Sequence, residues 1–235
     1  LKQAESRGEK LRILNYVNSL GIIAHEQARY DEAEVAYRRM LELAKPTGDR
    51  RSLAIAHGNI GVVRRDQQRF ADAMSQCERA ARILKDLNQL EGLAYARIVE
   101  SQTLLDRAVS SQSTPDDDKL ALEKAEDAFD LAERASAAMR LQEASICRGQ
   151  ALARLGKIDE GLVDILRGLE AARSVQANRV VLFGLGAAAE ASSLAGRSDD
   201  ARKYLKDALG RARDTGFHRF VNRLEDLAKK RAIKI

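Results

Sequence analysis

The segment YDEAEVAYRRMLELA at positions 30–44 recurs four more times along this 235-residue chain in altered form. The related segments are FADAMSQCERAARIL (70–84), LEKAEDAFDLAERAS (122–136), IDEGLVDILRGLEAA (158–172) and SDDARKYLKDALGRA (198–212). The fourth residue of each segment is small: Ala33, Ala73, Ala125, Gly161 and Ala201, at spacings of 40, 52, 36 and 40. Self-similarity at such a period predicts an array of supersecondary units, five of which are present.

A second helical segment precedes each repeated one. In four units it carries its own small residue twelve positions earlier, namely Gly21, Gly61, Gly149 and Ala189. Small residues at both places let paired helices approach to the short end of the usual 8–10 Å range. Carboxylates open the second helix, as at Asp31 and Asp72, where the helix dipole favours negative charge. Each unit is therefore predicted to be a helix, a short turn and a second helix.

Glycines mark the predicted ends of the units. Gly48 and Gly216 follow second helices and suit left-handed caps. The opening LKQAESRGEK resembles LELAKPTGDR at 41–50, so Gly8 is expected to end an earlier second helix. On this interpretation the chain is a segment of a longer repeat protein.

The composition agrees with an all-α protein. Hydrophobic residues make up 45% and charged residues 32%, whereas aromatic residues make up 4% and proline occurs twice. Cys77 and Cys147 show no metal-binding spacing and are interpreted as small buried residues in a reducing compartment. No apolar run is long enough for a membrane span, and no signal peptide is apparent, so a cytoplasmic location is expected.

The two small-residue positions and the large apolar residues around them resemble the tetratricopeptide repeat. The matching residues are Leu20, Gly21, Tyr30, Ala33 and Tyr37 in the first unit and Ile60, Gly61, Phe70 and Ala73 in the second. The resemblance implies a right-handed α-solenoid of about five helix-turn-helix units with a C-terminal capping helix. The 40-residue period is similar to the longer repeats of kinesin light chains, spindle-orientation adaptors and bacterial regulators. The third unit departs most, since Ser101 replaces the glycine.

We expect one array with the following boundaries. Residues 1–10 end a preceding repeat, the five repeats occupy 11–48, 49–88, 89–140, 141–176 and 177–216, and a capping helix occupies 217–235. The third repeat includes a polar insert at 109–119, in which Thr114 and Pro115 are expected to start the second helix. The insert is either a tolerated insertion or a partner-specific contact.

The resemblance also implies a partner-binding groove lined by the first helices. Carried over position by position, its residues are Asn15, Asn18, Ile22, His25, Glu26, Ile55, Val62, Arg65, Asp66, Tyr95, Ile98, Gln102, Asp106, Glu143, Ile146, Gln150, Arg154, Phe183 and Glu190. The amides of Asn15, Asn18, Gln102 and Gln150 could bond the main chain of a ligand. An apolar strip for its side chains would be formed by Ile55, Tyr95, Ile98 and Phe183. Each residue could instead serve packing or solvation. Ile22 and Val62 stand where the family's clamp for a C-terminal carboxylate needs polar residues, which disfavours that ligand.

A segment that resembles a dinucleotide-binding fingerprint, RVVLFGLGAAAE at 179–190, is interpreted as a first helix. The fingerprint requires a preceding strand, whereas Ala189 falls on the small-residue position of the repeat. His25, His57 and His218 form no catalytic or metal-binding pattern with other residues. No catalytic activity, cofactor or metal is therefore expected.

Two functions follow from this interpretation. The favoured one is a non-catalytic scaffold that binds a peptide or helix of a protein partner, which could also be another domain of the same polypeptide. The alternative is a ligand- or partner-sensing regulatory domain of a larger bacterial transcriptional regulator or signalling enzyme such as an ATPase or protease. The excess of 40 basic over 35 acidic residues is interspersed, so nucleic acid is not the expected partner.

Overall fold

The computed structural model describes the backbone of residues 2–234, and the side chains of residue 9 and of residues 11–234. The helices are α1 (Lys2–Glu26), α2 (Tyr30–Ala44), α3 (Arg50–Asp66), α4 (Phe70–Asp86), α5 (Leu90–Ala108), α6 (Asp117–Arg134), α7 (Ala138–Arg154), α8 (Ile158–Ser174), α9 (Asn178–Leu194), α10 (Ser198–Asp214) and α11 (His218–Lys230), with a short 3₁₀ helix, η1 (Lys45–Thr47). No strand occurs in residues 2–234. The prediction of an all-α fold is confirmed.

The helices group into two compact units, residues 1–89 and residues 90–235. In unit 1, α2 packs against both α1 and α3, and α3 packs against α4. In unit 2, each helix from α5 to α11 packs against the next one. We call α1, α3, α5, α7 and α9 the first helices and α2, α4, α6, α8 and α10 the second helices.

In unit 2 the first helices pack side by side and form one layer. There α7 contacts both α5 and α9, while α11 contacts α9 and α10. The main core of unit 2 is aliphatic and includes Ile165, Leu185 and Leu205, which are fully buried. Phe220 and Leu224 of α11 pack into this core, so α11 covers the last helical pair. This stacking of pairs within a unit is the architecture of an α-solenoid.

The small residues lie where paired helices come closest. A Cβ atom on Gly21 would lie 2.5 Å from the Tyr37 ring, and one on Gly61 would lie 2.7 Å from the Cys77 sulfur. Neither distance is sterically possible, so these positions require glycine for the observed packing. Cys77 and Cys147 are free and buried, as expected.

The turns after the helices show which glycine caps form. Gly48 and Gly216 adopt φ values of 66° and 70°, which confirms the left-handed caps predicted there. Gly8 does not end a helix, because α1 continues through it from Lys2 to Glu26. Residues with high helix propensity surround Gly8, and a single glycine costs a helix only about 1 kcal/mol. The origin of residues 1–10 in an earlier repeat stays a prediction.

The insert of the third pair differs in detail from the prediction. Helix α6 begins at Asp117, not directly after Thr114. The buried Asp117 carboxylate accepts hydrogen bonds from the Thr114 main-chain N–H (3.0 Å) and hydroxyl (2.5 Å), and it pairs with Arg107 of α5 (2.5 Å). Burial raises the pKa of Asp117, but the hydrogen bonds from Arg107 and Thr114 outweigh it and lower the pKa below 3.8. Asp117 therefore anchors the loop between α5 and α6 to α5.

Candidate partner-binding surface

The predicted groove residues of unit 1 lie on α1 and α3, and four of them are accessible. Asn15 is exposed and Asn18 partly exposed, while the side chains of Ile22 and Ile55 are 36% and 39% exposed. Asn59 of α3 donates a hydrogen bond to the Asn18 side-chain oxygen at 2.8 Å. These residues form a mixed polar and apolar strip.

The remaining predicted residues of unit 1 are internal. His25 Nε2 lies 2.9 Å from Asp66 Oδ2, and Arg65 donates to the other Asp66 oxygen at 3.0 Å. The side chains of all three are at least 95% buried. Glu26 and Val62 are 7% and 5% exposed. This group ties α1 to α3 and offers a partner almost no surface.

The predicted apolar residues of unit 2 divide in the same way. Tyr95 and Phe183 are partly exposed, and the Arg140 guanidinium lies 4.6 Å from the centre of the Tyr95 ring. By contrast, Ile98 and Ile146 are 1% and 0% exposed. Their burial places these two isoleucines in the core, where a partner has no access to them.

Glycines explain the burial of Ile146. Cβ atoms on Gly168 and Gly184 would lie 2.8 Å and 3.1 Å from Ile146 side-chain atoms. The isoleucine therefore fills the space that these two glycines leave open between α7, α8 and α9. Ile98 packs with Ala125, Ala128, Ala144 and Cys147.

Glu190 on α9 is the centre of a buried polar network. Its carboxylate, 1% exposed, accepts hydrogen bonds from Gln150 (2.5 Å), Arg154 (3.0 Å) and Arg231 (2.5 Å). Arg154 also donates to the main-chain carbonyl of Leu105 on α5. The network therefore joins three first helices and the segment after α11.

Charge compensation fixes the ionisation of this network. Burial by itself raises the pKa of Glu190, but the positive charges of Arg154 and Arg231 outweigh it and lower the pKa from 4.5 to about 2. The same pairing raises the pKa of Arg154, which burial alone would lower. Both groups are fully charged at neutral pH.

Tyr95, Gln150 and Phe183 are not the only predicted residues on the accessible surface of the first helices in unit 2. Three more predicted residues lie there. Gln102, Asp106 and Glu143 are each partly exposed. Asp106 accepts a hydrogen bond from Arg223 of α11 at 2.9 Å, and Glu143 pairs with Arg140. The structure therefore brings together Tyr95, Gln102, Asp106, Glu143, Gln150 and Phe183 on neighbouring first helices.

Arg223 and Arg231 contact the predicted site residues Asp106 and Glu190, and the sequence interpretation missed both. The interval from Phe183 to Arg223 is one 40-residue period, so Arg223 occupies the α11 position equivalent to Phe183. Treating α11 as one more first helix would have identified Arg223. Arg231 follows the last residue of α11, where the 40-residue period assigns no position on a helix.

Comparisons with known proteins agree with this geometry. Residues 11–86 match the family model described as Tetratricopeptide repeat. Within residues 11–86 the chain is therefore similar to tetratricopeptide repeats. The matched repeats comprise most of α1 together with α2, α3 and α4. No curated protein has a sequence that matches the chain.

Solved structures of Rap proteins share the fold of this chain. A Rap protein in complex with Competence and Sporulation Factor has a TM-score of 0.71 at 12% identity, over 98% of this chain and 68% of that one. The apo form of RapI gives 0.63 at 12% identity, over 92% and 76%. Aspartyl phosphate phosphatase F from Bacillus subtilis gives 0.58 at 13% identity, over 97% and 57%. At such identities the likeness shows a common fold and nothing about function.

The described part of the chain lacks two other kinds of feature, a metal-ion cluster and a membrane-spanning helix. Among the described residues, no cluster of His, Cys, Asp and Glu could hold a metal ion. Nor does any helix within residues 2–234 combine the length and the apolar character that crossing a membrane requires.

Proposed function

We propose that this chain is a non-catalytic protein-interaction module that binds a peptide or a helical segment of a protein partner on the first-helix surface of unit 2. The observation that carries the proposal is the composition of that surface. Two aromatic side chains, Tyr95 of α5 and Phe183 of α9, are partly exposed, and so are the amides of Gln102 and Gln150. Aromatic anchors contribute most of the affinity at interfaces, and side-chain amides can bond a ligand main chain.

The rigidity of the surrounding surface supports this role. The Glu190 network and the pairing of Arg140 with Glu143 fix side chains on α7 and α9. A surface that is already ordered loses less conformational entropy when a partner binds. The Rap protein crystallised with Competence and Sporulation Factor shows that this fold can form a complex with another molecule.

A peptide selection followed by a matched pair of tyrosine substitutions tests the proposal. Peptides selected from a displayed library for binding to the chain are titrated against the Tyr95→Ala and Tyr204→Ala variants. Tyr204 is also partly exposed but lies on the second helix α10. We expect Tyr95→Ala to weaken binding about tenfold or more, and Tyr204→Ala to leave it unchanged. Equal effects of the two substitutions would contradict the assignment to the first-helix surface.

A second candidate function is a partner-sensing domain of a larger regulator. The observation that favours it is that a Rap protein of the same fold was solved in complex with Competence and Sporulation Factor. A sensing domain must change shape when its ligand binds, whereas a scaffold need not. Small-angle scattering of the chain with and without a selected peptide distinguishes the two, since only the sensor predicts a change in the radius of gyration.

A further inference from the structure

Two positions of every second helix face solvent, and we call them the outer positions. They are the second and the fifth residue after the small residue of the helix. Their occupants are Val35 and Arg38 in α2, Ser75 and Glu78 in α4, Asp127 and Asp130 in α6, Val163 and Leu166 in α8, and Lys203 and Lys206 in α10. All of these residues are exposed. They stay exposed on α8, which has a further helical pair on each side, so stacking of a neighbouring pair does not cover them.

Across unit 2 the outer positions change from acidic to apolar to basic. Helix α6 contacts α5 and α7, α8 contacts α7 and α9, and α10 contacts α9, so α8 lies between α6 and α10 in this layer. Both outer residues of α6 are aspartates and both of α10 are lysines. Between them, Val163 and Leu166 of α8 are 56% and 39% exposed. An apolar strip thus lies between two strips of opposite charge.

The other exposed charges of α6 and α10 extend this contrast. Beyond the first turn of each helix, five of the six exposed charged residues of α6 are acidic, and five of the six in α10 are basic. Asp127 already pairs with Arg97 of α5 at 2.7 Å. In the described part of the chain, by contrast, no ion pair involves Asp130, Lys203 or Lys206. These charges are available to another molecule.

The order acidic, apolar and basic is self-complementary. Consecutive helices alternate in direction, so α6, α8 and α10 run the same way. When two copies face each other about a twofold axis parallel to α8, the two α8 helices meet at the axis and each α6 lies opposite the α10 of the other copy. Residues at equivalent positions then meet, so Asp130 faces Lys206. An axis perpendicular to α8 would instead place α6 opposite α6, and like charges disfavour that arrangement.

We propose that two copies of this chain associate through the outer positions of α6, α8 and α10, about a twofold axis parallel to α8. Contact between the two copies of Val163 and Leu166 removes apolar surface from water, and the charges of α6 and α10 fix the orientation. Glu170 lies one turn beyond Leu166, so the two α8 helices cross at the apolar pair and diverge toward Glu170.

The dimer is expected to be weak and to leave the first helices free. A stable interface buries about 800 Å² on each partner, whereas only two apolar side chains per copy lie at the centre of this one. We therefore expect a dissociation constant on the order of 10–100 μM. Since only second helices take part, the association goes beyond the function proposed for the first-helix surface and does not compete with it.

Charge reversal tests both the contact and its symmetry. One variant carries Glu126→Lys and Asp130→Lys on α6, and the other carries Lys203→Glu and Lys206→Glu on α10. Asp127 is kept because it pairs with Arg97 within the chain. Each variant alone brings like charges together in both halves of the dimer, whereas one copy of each variant restores opposite charges in both halves. Sedimentation of the full chain, of each variant and of their equimolar mixture is measured up to about 500 μM.

The proposal predicts that mixing restores association. Each charge variant should self-associate at least about tenfold more weakly than the unsubstituted chain, and the mixture should associate within about threefold of it. Joint Val163→Glu and Leu166→Glu substitution should abolish association. Val175→Glu is the matched control, since Val175 is 63% exposed but follows α8, and it should have no effect. Because all substituted residues are exposed, circular dichroism should show closely similar melting curves.

Three results would overturn the proposal. One is an unsubstituted chain that stays monomeric up to about 500 μM, which would leave the outer positions to solvent or to a different protein. Another is self-association that persists in the variant with both Val163→Glu and Leu166→Glu. The third is a mixture of the two charge variants that associates no more tightly than either variant alone, because α6 and α10 would then not face each other.

Discussion

Gly149 of α7 and Gly161 of α8 face each other at a point where only glycine fits. A Cβ atom on either residue would overlap the main-chain carbonyl oxygen of the other. A Cβ atom on Gly149 would also lie 2.9 Å from the main-chain nitrogen of Ile165. Since the obstructing atoms belong to the backbone, neither helix can adjust by a side-chain rotation alone.

We predict that Gly149→Ala destabilises the protein by about 2 kcal/mol or more, because the two helices must move apart. Gly58 is the matched control, since it lies inside α3 and a Cβ atom there would meet nothing within 4 Å. Gly58→Ala should stabilise the protein by up to about 1 kcal/mol through higher helix propensity. Urea denaturation measures both. Equal effects of the two substitutions would refute the close-contact interpretation.

The sequence was sufficient to predict the fold because the small residues that determine helix contact recur with the period. Gly21, Gly61 and Gly149 all fall at observed contact points. The carboxylates at the starts of second helices, such as Asp31 and Asp72, are also where they were expected. In a repeat array the same helix packing recurs in each unit, so the residues that determine it appear several times in one chain.

The candidate surface was less predictable, because the period gives a position on a helix but not the neighbours of its side chain. Ile98 and Ile146 share the register of accessible groove residues, yet both are buried. Glu190 forms its network with Arg231, which is 41 residues away and outside the repeat pattern. Such contacts depend on which side chains fill the local space.

Left-handed turn residues provide a second test of the fold. Gln176 has a φ of 55° and Gly196 a φ of 72°, at equivalent positions after α8 and α9. A residue with a Cβ atom is strained in this conformation by about 1–2 kcal/mol, part of which the greater chain entropy of glycine offsets. We predict that Gln176→Gly stabilises the protein by about 0.5 kcal/mol, whereas Gly196→Ala destabilises it by about 1 kcal/mol. Thermal denaturation would contradict this if the two shifts had the same sign.

The Glu190 network should make stability depend on acid pH. The pKa of Glu190 is about 2 in the folded protein and 4.5 in its ordinary state, so the unfolded chain takes up the proton first. Its contribution, on the order of 3 kcal/mol, is therefore complete above about pH 5 and is lost as the pH falls through 4.5 toward 2.

Substitution of Glu190 isolates this contribution. Glu190→Gln should destabilise the protein at pH 7 by about 3 kcal/mol, because Arg154 and Arg231 lose their counter-charge. The difference from the unsubstituted chain should shrink below pH 4. Denaturation at pH 7, 5 and 3 provides the measurement, and a difference that stays constant across these values would contradict the assigned ionisation.

Asp117 should be more important for stability than its neighbours in the insert. It is buried and accepts hydrogen bonds from Thr114 and Arg107, whereas Asp116 is exposed and its side chain makes no capping hydrogen bond. We expect Asp117→Ala to destabilise the protein by about 2–3 kcal/mol and Asp116→Ala to change stability by less than about 0.5 kcal/mol. Similar losses for both variants in urea titrations would show that the loop is not fastened through Asp117.

The binding surface proposed for unit 2 can be tested by amide hydrogen exchange of the chain with and without a selected peptide. If the first helices bind the partner, protection should appear in α5, α7 and α9, centred on the segments around Tyr95, Gln150 and Phe183. The second helices α6, α8 and α10 should exchange as in the free chain. Protection confined to those second helices would contradict the account.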